Sequence, residues 1–111
     1  MANEVHPLLG ALGLCRKAGK LLYGYDRVEE AIMRGRVYLV LLAQDASPRT
    51  ANHMCSVCED LVPCRAVPLT TAQLSYLTPK PAAVFGICDE NLAHLCVKQL
   101  TQNKEETAHG L

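Results

Sequence analysis

Apolar positions along this chain recur with two different periods, and each period marks a different kind of element. Leu8, Ala11, Leu12, Cys15 and Ala18 fall at helical spacing. They predict a first helix from Pro7 to Lys20, with proline in the first turn and Gly19 supplying a stop. Leu21 to Tyr23 is a short strand candidate. Val28, Ala31 and Ile32 repeat at i, i+3, i+4 and predict a second helix from Tyr25 to Arg34, ended by Gly35. Val37 to Ala43 is an unbroken apolar run. Such a run fits a central strand buried on both faces, which requires helices above and below the sheet.

Ser47-Pro48 pairs an N-cap residue with proline at the first helical position, so a third helix is predicted from there to about Leu61. Arg65 to Pro68 is a short strand, and Thr70 or Thr71 caps a brief fourth helix through Leu77. Thr78-Pro-Lys-Pro81 is a stiff loop. Ala82 to Cys88 is another buried strand, and Asp89 caps a last helix to about Leu100. Residues 101–111 are polar and are expected to fray. Helices alternating with strands in this order predict an α/β fold: a three-layer α/β/α sandwich around a four-stranded, largely parallel or mixed sheet. No linker divides it, so residues 1–100 are expected to form a single domain.

Length and composition are consistent with that expectation. A chain of 111 residues, half of them hydrophobic and with no Trp, suits one aliphatic core. No apolar run approaches the roughly 18 residues of a membrane span. The opening Met-Ala-Asn-Glu-Val carries no basic segment ahead of an apolar stretch, so no secretory signal and a cytoplasmic location are expected. Net charge is zero, which argues against a generic polyanion binder. Charge is nevertheless uneven: through residue 50 there are seven Lys/Arg against five Asp/Glu, and after it four against six. That asymmetry points to a localised basic patch.

Six cysteines (15, 55, 58, 64, 88 and 96) raise the question of disulfides or zinc. Cytoplasmic thiols stay reduced, which removes the disulfide framework. His53-x-Cys55-x-x-Cys58 with Cys64 is the best metal candidate, since zinc wants four converging N/S ligands. Helical geometry opposes it. Cys55 and Cys58 share the expected core stripe with Ala51, Met54, Leu61 and Val62, while His53 lies roughly 200° round the helix from Cys55. Cysteine packs as a small hydrophobe, so all six are read as structural and neither metal nor cofactor is expected. Asp45 is read as a turn and cap residue rather than a catalytic carboxylate. Nothing in the sequence assembles a nucleophile or a phosphate-binding loop, so no enzymatic activity is expected.

The stretch from Arg16 to Gly35 is the candidate functional element. It joins a basic helix end, a glycine turn and a second helix whose first turn, Gly24-Tyr25-Asp26-Arg27, leaves backbone N–H groups unpaired. A helix start of this kind can receive a phosphate or a base edge. Arg16, Lys17, Lys20, Arg27, Arg34 and Arg36 flank it in sequence. The competing reading is a solvated helix with ordinary surface charges.

This stretch resembles the L7Ae-type ribosomal protein superfamily, the kink-turn RNA-binding proteins, and within it the small bacterial YlxQ-like members. The similarity extends to Leu9–Lys20, to Leu39–Pro48, to Val67–Leu74 and to Ala82–Ile87, about nine-tenths of the chain in order. Members that bind kink-turns carry G-x-N-E-x-x-K-A at the second helix start. Gly24 and Ala31 match that pattern, whereas Asp26, Arg27 and Glu30 replace its Asn, Glu and Lys. Asp26 can accept from a base amino group but lacks the Asn donor. Arg27 can offer a bidentate fork to a guanine edge or hold a phosphate. Glu30 puts a carboxylate where the family has a cation. The resemblance places the second contact surface at Tyr76–Pro81, with Lys80 as its cation. It implies a non-enzymatic, monomeric binder of structured, kink-turn-like ribosomal RNA, with ribosome-associated proteins as further partners. The candidate RNA-binding residues are Lys17, Lys20, Gly24, Asp26, Arg27, Glu30, Arg34, Arg36 and Lys80. The alternative is a protein–protein interaction module that retains the fold but has lost the RNA site.

Overall fold

The computed structural model describes residues 6–109, with side chains placed through residue 101. In chain order the elements are α1 (Pro7–Lys17), β1 (Leu21–Tyr23), α2 (Tyr25–Met33), β2 (Leu39–Leu42) and α3 (Pro48–Cys58). They continue with β3 (Cys64–Ala66), α4 (Thr71–Leu74) leading into a 3-10 turn at Ser75–Leu77, β4 (Val84–Ile87) and α5 (Glu90–His109). The four strands form one sheet in the order β1-β4-β2-β3. β4 runs antiparallel to both β1 and β2, while β2 and β3 are parallel. The sheet is therefore mixed, as the alternation of elements predicts.

Alternation along the strands explains why the central runs are apolar throughout. Leu39, Leu41, Phe85 and Ile87 pack with Leu8, Leu12 and Cys15 of α1 and Ala93 and Cys96 of α5. Val40, Leu42 and Val84 face the other way, against Val28, Ala31 and Ile32 of α2 and Met54 and Cys58 of α3. Successive strand residues point to opposite faces, so a strand with helices on both sides must be apolar at every position. The result is the three-layer α/β/α sandwich.

Helix starts are held as the sequence foretells at several points. The Ser47 hydroxyl accepts from Thr50 N at 3.2 Å. Thr70, rather than Thr71, caps α4 and forms a capping box with Gln73. The Asp89 carboxylate accepts from Leu92 N at 2.9 Å and caps α5. His6, given no role by the sequence, caps α1 by accepting from Leu8 N through Nδ1 at 3.0 Å.

Several expectations need correction. Helix α1 stops at Lys17 rather than Lys20, and Ala18, its C-cap, is exposed. The last helix does not stop near Leu100 but continues to His109. Gln102, Lys104, Glu105 and Glu106 are good helix formers, and polarity alone does not end a helix once a packed segment nucleates it. Gly110 and Leu111 lie outside the described residues. Helix α3 ends at Cys58, where Glu59 takes a positive φ of 28°, so Leu61 leaves the core stripe and is exposed. Cys55 is exposed as well, although Met54, Cys58 and Val62 are buried as expected. Tyr38, read as part of a fully buried strand, is 47% exposed, because the strand begins only at Leu39.

Candidate nucleic-acid interface

The sheet register distributes the predicted site residues over two concavities, one at the start of α2 and one along its face from Arg27 to Arg34. At its N-terminal end, Tyr23 closes β1 and Gly24 N donates to Val84 O at 3.0 Å. Gly24 adopts φ 100°, ψ 140°, a conformation that L side chains rarely take, and no side chain caps the helix that follows. The first-turn N–H groups of α2 consequently have no capping side chain, and the positive end of the dipole is open. Across from them runs the loop before β4. Tyr23, Gly24, Tyr25, Thr50, Lys80, Pro81 and Ala82 line a groove of about 350 Å³ there, with Ala83 and Val84 at its base. The Thr78 hydroxyl, itself buried, donates to the Lys80 carbonyl and pins the loop.

Along another face of α2, from Arg27 to the turn beyond its C-terminus, lies a larger cleft of about 780 Å³. Lys20, Arg27, Glu30, Arg34 and Arg36 line it, together with Gly19, Leu22, Ala31, Gly35, Tyr38 and Cys88. Arg27, Glu30, Ala31 and Arg34 come together because i, i+3, i+4 and i+7 form one helix face. Lys20 and Arg36 reach it from the turns that precede β1 and β2. Burial pushes the Cys88 thiol up, while the nearby charges of Lys20 and Arg36 pull it down.

Glu30 does not stand alone in this cleft. Its Oε2 lies 3.2 Å from Arg34 Nη2, an exposed i, i+4 ion pair. The carboxylate that departs from the family pattern is thus partly neutralised within its own helix. Among the predicted residues, Gly24 and Lys80 share the groove at the helix start, and Lys20, Arg27, Glu30, Arg34 and Arg36 share the cleft. Lys17, in the last turn of α1, and Asp26, in the first turn of α2, are exposed and line neither. The cations flank the helix start in sequence, yet most of them converge in the cleft along α2 rather than in the groove at its start.

Sequence reasoning missed Tyr25, Thr50, Tyr38 and Cys88 as lining residues. Tyr25 could have been noticed as a tyrosine beside Gly24, and Tyr38 as one two residues after Arg36, but Thr50 and Cys88 arrive through sheet and helix packing. His53 is exposed, as its position round the helix from Cys55 implies, but it also finds partners. It does not simply face solvent: its ring stacks on Tyr25 with centroids 5.1 Å apart, and Nε2 lies 3.3 Å from Glu29 Oε2. The cysteines converge only in part. Cys64 is pushed up to about 12 by burial, with Cys58 and Cys55 adding to the effect. Among the described residues, no group of three or more His, Cys, Asp or Glu is placed to hold a metal ion.

The pattern of the ribosomal protein L7Ae/L30e/S12e/Gadd45 family matches residues 7–84. The chain belongs to that family. It is 32% identical to the RNA-binding protein YlxQ of Enterococcus faecium over 88 residues, which cover 77% of this chain and 82% of that one. A structure of a protein of unknown function from Bacillus halodurans superposes with a TM-score of 0.81 at 26% identity, covering 87% of this chain and 99% of the other. The 15.5 kDa RNA-binding protein of Giardia lamblia shares the fold with a TM-score of 0.71 at 22% identity, over 86% and 82% of the two chains. The family match spans α1 through the start of β4, so the groove and most of the cleft lie inside it. Among the described residues no helix is long and apolar enough to cross a membrane.

Proposed function

We propose that this protein binds structured RNA with a sharp, kink-turn-like bend, in ribosomal RNA, as a cytoplasmic monomer that catalyses no reaction. The observation that carries this reading is the groove shared by the uncapped start of α2 at Gly24 and the pinned loop at Lys80. Two walls of backbone polarity and positive charge, held rigidly apart, suit a bent RNA whose non-canonical pairs are exposed. Similarity to the YlxQ protein of Enterococcus faecium supports the ligand class.

In this reading Gly24 allows close approach of the RNA backbone, and Asp26 accepts from a base amino group. Lys80 holds a phosphate from the opposite wall. Arg27 lines the cleft and not the groove, so its role in this reading is phosphate neutralisation rather than guanine reading. Lys17, Lys20, Arg34 and Arg36 extend the positive field, and the Glu30–Arg34 pair tempers it.

A titration at fixed salt against a kink-turn RNA, beside a control whose G·A pairs are disrupted, tests the proposal. Preferential binding to the intact kink-turn is expected, and Lys80→Ala should weaken it. Equal, weak binding to both RNAs would overturn the kink-turn reading and favour the interaction module that has kept the fold without its RNA site.

A further inference from the structure

The larger cleft along α2 has features that the helix-start groove does not share. Its floor is set by strand register. Leu21 and Leu39 both pair with Ile87, so the next positions outward, Lys20, Cys88 and Tyr38, lie side by side just beyond the ends of three strands. Cys88 N donates to Lys20 O at 2.9 Å, and Tyr38 N donates to Ile87 O at 2.8 Å, which fixes that arrangement. Leu22 and Val40, two residues along from Lys20 and Tyr38, pack on the α2 face. Lys20 and Tyr38 line one cleft with Arg27, Glu30 and Arg34 of the α2 face.

Four cations line this cleft against one carboxylate, and that carboxylate is already paired with Arg34. In their midst stands Tyr38, 47% exposed. Simple phosphate neutralisation needs no aromatic surface. A half-exposed ring ringed by Lys and Arg suits a base whose phosphates lie alongside, because base–aromatic stacking and backbone charge act together on unpaired strands. Helix α2, 9 residues long, spans about 13 Å and connects the two concavities along one exposed face.

We infer that this cleft takes an unpaired nucleotide of the bound RNA, its base stacked on Tyr38 and its phosphates held by Lys20, Arg34 and Arg36. The strand leaves the bent element at the start of α2 and follows the helix toward its C-terminus. This rests on the RNA reading above and adds a single-stranded contact to it.

The test compares a blunt kink-turn RNA with versions carrying a short uridine tail at one end or the other. A tail at one end should tighten binding about tenfold. Tyr38→Ala should erase that gain while leaving the affinity for the blunt RNA unchanged, and Tyr38→Phe should keep it. No gain from either tail, or a gain that survives Tyr38→Ala, overturns the inference and leaves the bent-RNA reading standing. Should the wild type bind no kink-turn RNA, that reading fails, and a short oligouridylate titrated alone into isotope-labelled full-length protein decides the cleft. Amide shifts at Tyr38 and Cys88 then support the inference, and their absence overturns it.

Discussion

Tyr25 and His53 lie ring on ring, 5.1 Å between centroids and 25° between planes, and this stack ties the first turn of α2 to α3. Tyr25 is at the same time a wall of the groove at the helix start. The imidazole also reaches Glu29, one turn further along α2. A residue on α3 thus steadies the ring that the RNA would meet.

His53→Ala should therefore weaken binding of a bent RNA about three- to fivefold without unfolding the protein, in keeping with the strength of aromatic pairs. His53→Phe should restore most of the loss, because it keeps the stack and drops only the contact to Glu29. Equilibrium titrations of the three proteins decide this. An unchanged affinity in His53→Ala would mean that Tyr25 needs no support from α3.

The Glu30–Arg34 pair gives a prediction of opposite sign. Its stability contribution is small, about 0.3–0.5 kcal/mol for an exposed i, i+4 pair. Its effect on RNA should be larger, since Glu30→Lys adds two units of positive charge to the cleft and frees Arg34. That variant should bind structured RNA more tightly, by about tenfold at low salt. For the wild type, about four neutralised phosphates give a slope of log affinity on log salt near −3 to −4. A flat salt response would remove the basic cleft from the interface.

Asp45 links pH to the segment that precedes the β4 loop. Its Oδ1 accepts from Thr71 N at 2.9 Å and from Thr71 Oγ1 at 2.8 Å. These hydrogen bonds, the backbone one first, hold the carboxyl below its ordinary value. A depressed folded pKa means stability that is present above the unfolded value of about 3.9 and lost as pH falls through the lower folded value. Asp45→Ala should thus be less stable than the wild type at pH 7, with the two proteins converging in acid below about pH 4. Thermal melts from pH 7 down to pH 3 would show it; a difference independent of pH would assign the effect to packing instead.

Thiol reactivity offers a check on packing. Cys15 and Cys96 are fully buried with their sulfurs 3.8 Å apart, joining α1 to α5. The hydrogen bond to Cys15, and burial after it, raise Cys96, and burial raises Cys58. Cys55 is the exposed thiol. Alkylation followed by mass spectrometry should mark Cys55 first and leave Cys15, Cys58 and Cys96 intact in the native protein. Cys96→Ala should cost about 1–2 kcal/mol through the void it opens between the two helices. Rapid labelling of Cys96 would show that the α1–α5 contact opens readily.

Much of the architecture was legible along the chain because local physics dictates it. Ser47-Pro48, Thr70 with Gln73, and Asp89 each satisfy orphan N–H groups within their own helix start, so proximity in sequence suffices. The runs at Leu39–Leu42 and Val84–Ile87 must be buried on both faces, and that alone implies three layers. The single glycine at 24 marks a backbone conformation that other residues avoid. Helix ends were less legible. Glu59 terminates α3 with a positive φ that no glycine announces, and it carries Leu61 out to solvent.

Tertiary structure alone decided how the site residues are grouped. Lys20, Cys88 and Tyr38 are far apart in the chain and become neighbours only because β4 is inserted antiparallel between β1 and β2. The same insertion separates Lys80, at one end of the sheet, from the arginines at the other. Sequence fixes which residues are apolar, capped or charged, since those properties belong to a residue and its near neighbours. Strand order and register belong to contacts between distant segments, and they place one cation beside a groove and four around a cleft.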